Sequence, residues 1–178
     1  MPVPAKFRDF DLDAFLKSDD VRAFIGPGFD FFDVLWRADF ARKENMEKVL
    51  SSFHWNGLAI LVSPITWFAY RKMYDMAALF LALVLCASVV IDILNIQVGV
   101  APFVGAFVVV GLISYNVYFL HVHKAMMKIR AMPEERRAAA IAARGGVSVL
   151  AAILFTAFAL VLFVGYSYVL FARAQGMM

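Results

Sequence analysis

Three apolar blocks, residues 74–96, 102–120 and 147–171, decide what this chain can fold into. Each is close to the roughly 20 residues that a helix needs to cross the hydrocarbon core of a bilayer. Backbone polar groups find no water there, so each block must satisfy its own hydrogen bonds as an α-helix. The chain is 63% hydrophobic and 17% charged, whereas a soluble domain has about 45–50% apolar and about 25% charged residues. The expected fold class is therefore all-α: a polytopic helical membrane protein with three transmembrane helices. Eighteen Phe residues suit lipid contact.

A fourth apolar stretch, 57–70, is too short to span comfortably. Ser63-Pro64 interrupts it. Phe53 and Trp55 precede it, and Trp67, Tyr70 and Arg71-Lys72 close it. Aromatic and cationic residues are what the membrane interface selects. The stretch reads as a short re-entrant or interfacial hairpin, and residues 54–178 as one membrane domain.

Residues 1–53 read as a cytoplasmic amphipathic helical segment. They carry eight Lys/Arg and ten Asp/Glu, so a nucleic-acid-binding arm is not expected. Ser18 is an expected N-cap, with Asp19 and Asp20 in the first helical turn. Gly26-Pro27-Gly28 stops that helix. In the next one Phe29, Phe32, Trp36 and Phe40 recur on one face, with Asp30, Asp33, Arg37 and Asp39 mostly opposite. The start of the chain lacks the pattern of a cleavable leader, so the first span is expected to direct insertion.

Lys and Arg set the orientation. The 121–146 loop carries six of them, residues 97–101 carry none, and the tail has only Arg173. This places the loop and the N-terminus in the cytoplasm and the C-terminus in the periplasm. Within the loop, Pro133-Glu134-Glu135 should start a short Ala-rich helix that Gly145-Gly146 ends.

Candidate intramembrane polar residues are Asp92, Asn95 and Asn116. Asp92 and Asn95 are three apart and can share a face. An ionisable residue in a span often marks function, although Asp92 falls near the outer end. His121 and His123 are two apart, which turns them to different sides of a helix. The spacing of His54 and His121 gives no support for a haem between them. Cys86 is the only cysteine. No catalytic, cofactor-binding or metal-binding motif is recognisable, so neither cofactor nor enzymatic activity is expected.

With these residues in view, the chain resembles the bacterial inner-membrane family catalogued as domain of unknown function 2628. Phe24-Ile25-Gly26, Phe31-Phe32 and Trp36 carry part of the likeness. The most specific stretch is Phe53-His54-Trp55-Asn56 followed by Trp67-Phe68-Ala69-Tyr70-Arg71-Lys72-Met73-Tyr74. It matches an FNWAAFF-like start and a W-x-x-YRKMY-like end, with the Asn-Trp order scrambled. Asn116 and Arg144-Gly145-Gly146-Val147-Ser148 complete it, with Val147 where the family has Thr. The resemblance implies a small polytopic bacterial membrane protein and no particular activity.

The expected function is that of a non-enzymatic accessory or scaffold subunit of a larger membrane complex. Its partners would be membrane lipid and other inner-membrane proteins, or further copies of itself. Trp36, Phe40, Trp67 and Arg71 are the candidate interaction residues. The alternative is a small transporter or channel component with a polar seam around Asp92.

Overall fold

The computed structural model describes residues 10–43, 52–94, 96 and 101–175, and the described residues form helices and turns with no strand. The N-terminal segment holds three helices. Helix α1 (Leu12–Leu16) starts where Asp11 Oδ1 accepts a hydrogen bond from Ala14 N at 2.9 Å. Helix α2 (Asp19–Ile25) carries Asp19 and Asp20 in its first turn, where they complement the helix dipole. Ser18 stands at the N-cap position, but its side chain makes no capping bond. Gly26 and Gly28 turn the chain at φ +65° and +97°, a region that disfavours any side chain. Helix α3 (Phe29–Lys43) then buries Phe29, Phe32 and Trp36. Arg37 pins α3 to α1: its Nε donates to Asp33 at 2.8 Å and its guanidinium pairs with Asp13.

Six helices follow among the described residues: α4 (Gly57–Leu61), α5 (Pro64–Tyr70), α6 (Tyr74–Ile93), α7 (Ala101–Arg130), α8 (Glu134–Arg144) and α9 (Val149–Ala174). Helices α6, α7 and α9 are long and apolar enough to cross a membrane. Their 20, 30 and 26 residues make them roughly 30, 45 and 39 Å long at about 1.5 Å per residue. The 57–70 stretch is two short helices with a break at Val62-Ser63. Ser63 Oγ accepts from Ile65 N at 3.1 Å, and Pro64 opens α5.

The helix boundaries differ from those expected, most of all in the second span. The second long helix does not end at residue 120 but runs on to Arg130, so 121–130 is helix rather than loop. No Pro or Gly stands between Gly111 and Pro133. Val122, Met126 and Ile129 keep an apolar stripe going, and all three are buried. The Ala-rich helix begins at Glu134 as its sequence suggests, and α9 begins at Val149 rather than 147.

Packing is uneven. Helix α5 wedges between α6 and α9, and α4 lies along α7. Gly111 makes the second contact possible, since a Cβ there would stand 2.2 Å from Ile60 Cγ1. The extended residues 52–56 also run along α7. His54 N donates to Leu112 O at 2.9 Å, and Asn56 Nδ2 donates to Ser114 Oγ at 2.7 Å. The long helices meet one another sparingly, through contacts such as Phe80–Phe107 and the hydrogen bond from Tyr166 to Ser88 O. In their apolar spans only 11%, 28% and 6% of residues are buried, for α6, α7 and α9 respectively. The aromatic core lies at one end of the molecule, where α1–α3 pack around Tyr118, Phe119, Val122, Met126 and Ile129 of α7.

Candidate functional site at a three-helix junction

Arg71 and Lys72 follow the last turn of α5. Lys72 takes a left-handed conformation at φ +57°. Its N donates to Ala69 O at 3.1 Å and Met73 N donates to Phe68 O at 2.9 Å, the paired bonds of a Schellman helix end. Glycine usually occupies this position, because a side chain there costs about 1–2 kcal/mol. Here the turn sends two consecutive cations to two different helices. Arg71 is only 9% exposed. Its guanidinium lies 4.7 Å from the Phe32 ring centroid, 5.0 Å from that of Tyr118 and 5.6 Å from that of Tyr70. One of its nitrogens donates to Ile25 O at the end of α2, at 3.4 Å, while Nε is buried with no hydrogen-bond partner. Lys72 Nζ donates to Ala142 O and Ala143 O at 3.3 and 3.5 Å, in the last turn of α8.

The link between α8 and α9 closes the junction. Gly146 N donates to Phe24 O at 2.7 Å, and Ser148 N donates to Tyr70 O at 2.8 Å. Gly145 passes so close to α2 that a Cβ would stand 2.6 Å from Phe24 O. The C-terminal ends of α2, α5 and α8 therefore converge here. The C-terminal end of each helix carries partial negative charge on its last carbonyls, and three such ends meet here. Arg71 and Lys72 supply two positive charges against them. Among the described residues, helix-end carbonyls and aromatic faces surround the Arg71 guanidinium where a carboxylate would otherwise stand.

The structure redistributes the candidate residues. Trp36 is 1% exposed, packed on Phe32, Tyr118 and Phe119. Trp67 is buried against Phe68, Tyr115 and Tyr118. With Arg71, these two candidate interaction residues are buried against the chain's own helices. Phe40 is half-buried and lines a surface cleft with Phe10 and Arg37. Asn116 is buried, and its Nδ2 donates to Ser52 O at 2.5 Å. It lies about 22 Å along α7 from Ala101, whereas Asp92 is half-buried in the last turn of α6. The two do not share a site. Asn95 lies outside the described residues.

Sequence reasoning missed one buried pair. Asp39, expected on the polar face of α3, is buried and meets His54 Nε2 at 2.5 Å. Its place three residues after Trp36 was the available signal. His54 and His121 engage different surroundings, the one Asp39 and Tyr115, the other Phe24. Among the described residues no cluster of His, Cys, Asp or Glu is placed to hold a metal ion.

No curated protein and no solved structure matches the chain. One family model does, over residues 21–124, and its description is "Protein of unknown function (DUF2628)". The match takes in Phe24-Ile25-Gly26, the 53–56 and 67–74 stretches and Asn116, and leaves out Gly145-Gly146. By a match that covers more than half of its length, this membrane protein belongs to the DUF2628 family.

Proposed function

We propose that the chain is a non-enzymatic accessory subunit of a larger assembly in a bacterial inner membrane. The N-terminal helices lie in the cytoplasm and the C-terminus in the periplasm. One observation carries this reading: the long helices leave most of their surface uncovered. Leu83, Val90 and Ile93 of α6 and Leu154, Val161 and Phe163 of α9 are all exposed. Helices in lipid associate through packing against one another, and these faces are open to lipid or to other spans. Phe31, Phe53 and Trp55 are exposed too, and aromatic residues of this kind settle at the interface. The basic residues Lys124, Lys128 and Arg144 lie at the end where α1–α3 dock, as a cytoplasmic placement of that end requires.

The contact surfaces in this reading are the open faces of α6 and α9, because Trp36, Trp67 and Arg71 are engaged internally. Purification from native membranes in mild detergent or nanodiscs, followed by mass spectrometry, tests it. The expected result is reproducible recovery with one defined complex. Recovery of the chain alone, as a monomer or a homo-oligomer, overturns it.

A further inference from the structure

A cleft of about 300 Å³ opens beside the junction, between the start of α6, the end of α7 and the end of α8. Lys72, Lys124, Lys128 and Arg144 line it, with His121 and one carboxylate, Asp75. Among the described residues, four cations face one anion. The cleft also receives the N-terminus of α6, a 20-residue helix whose N-cap, Met73, offers no side-chain capping bond. Its first N–H groups add positive potential to that of the cations. Like charges gathered in a concavity repel one another and invite an anion.

A second feature continues the cleft. A groove of about 590 Å³ runs between α6 and α9, lined by Ala78, Leu81 and Leu85 on one side and Leu154, Phe158 and Leu162 on the other. Its walls carry almost no polar surface. Asp75, Ala78, Ala82 and Leu85 are spaced three, seven and ten residues along α6, so they form one stripe. The basic cleft and the apolar groove thus succeed one another on a single helix face. Tyr74 joins them: it lines the cleft, and its ring stacks on Phe155 of the groove at 6.0 Å and 10°. Farther along, the Tyr166–Ser88 hydrogen bond ties α9 to α6 at 2.9 Å.

We propose that this composite site holds one anionic phospholipid, with its phosphate headgroup in the Lys72–Lys124–Lys128–Arg144 cleft and an acyl chain in the α6–α9 groove. Basic pockets at the ends of membrane helices are suited to phosphate headgroups. A free phosphate would use the cleft alone. A zwitterionic lipid brings the same phosphate but adds a cation that the basic lining repels, so an anionic lipid matches cleft and groove best. The site does not depend on the accessory-subunit reading, since it lies within one chain.

The test uses the full-length protein, delipidated in mild detergent. It is titrated separately with phosphatidylglycerol, phosphatidylcholine and inorganic phosphate, and retained adducts are read by native mass spectrometry. Phosphatidylglycerol should be retained at least about tenfold better than phosphatidylcholine. Each cation removed should weaken retention about fivefold, and K124Q/K128Q/R144Q together roughly a hundredfold. Lys72 is left in place because it holds α8. Ala82→Phe, which fills the groove, should also lower phosphatidylglycerol retention with the cations intact. Equal retention of the two lipids by the unaltered protein overturns the proposal without any variant. So does wild-type retention in the triple variant. Displacement of phosphatidylglycerol by equimolar inorganic phosphate also overturns it and assigns the cleft to a free anion.

Discussion

Gly145 sits where a methyl group has no room. An ideal Cβ would lie 2.6 Å from Phe24 O and 2.8 Å from both Phe24 Cα and Ile141 O, all of them backbone atoms. Backbone yields less readily than a side-chain tip, so Gly145→Ala should cost about 1–3 kcal/mol. Gly105 is the control. It lies inside α7 with nothing within 4 Å of an added Cβ, so Gly105→Ala should be neutral or up to about 1 kcal/mol stabilising. Thermal unfolding of both variants in the same detergent checks the contrast, and equal midpoints would refute it. The sequence shows Gly145-Gly146 as a helix stop, and the structure agrees. It does not show that the stop lies against α2, because that contact joins distant parts of the chain. Asp39 teaches the same lesson. Its charge suggests solvent, but its place in the Phe29–Phe32–Trp36 register puts it on the buried face, where His54 meets it.

Helix α7 shows how composition and periodicity can conflict. Residues 121–130 hold two His, two Lys and an Arg, a density that suggests a loop. Val122, Met126 and Ile129 keep helical spacing through them, and the spacing prevails because α1–α3 supply something apolar to pack against. The three spans were legible from length and hydrophobicity alone. Where α7 ends was not, because its last turns depend on a partner element far back in the chain. If that dependence holds, weakening the docked segment should loosen the extension selectively. Trp36 packs on Tyr118 and Phe119, and truncating a buried Trp costs about 3–5 kcal/mol. In Trp36→Ala, hydrogen exchange should rise over residues 121–130 and stay unchanged over 102–112. A uniform rise along α7 would refute the dependence.

At the scale of the whole molecule, two parts are stabilised by different solvents. The long helices bury little within the chain, and in a membrane their backbone bonds hold regardless of neighbours. The α1–α3 segment has no such support and relies on its docking to α7 and to the junction. Arg71 touches α2 through Ile25 O, α3 through Phe32 and α7 through Tyr118. A desolvated cation over aromatic rings is worth about 2 kcal/mol, a factor of roughly thirty in the balance between docked and undocked segment. The junction should therefore make the molecule one cooperative unit, and Arg71→Ala should divide it. Limited proteolysis in detergent should then cut within α1–α3 of the Arg71→Ala protein about thirtyfold faster, while α6–α9 stay protected. Arg71→Lys should fall between the two, since an ammonium keeps the charge but lacks the planar fork that faces the rings and Ile25 O together. If Arg71→Ala and wild type are cut alike, the docking rests on the aromatic core alone and the convergence of helix ends at Arg71 contributes little to it.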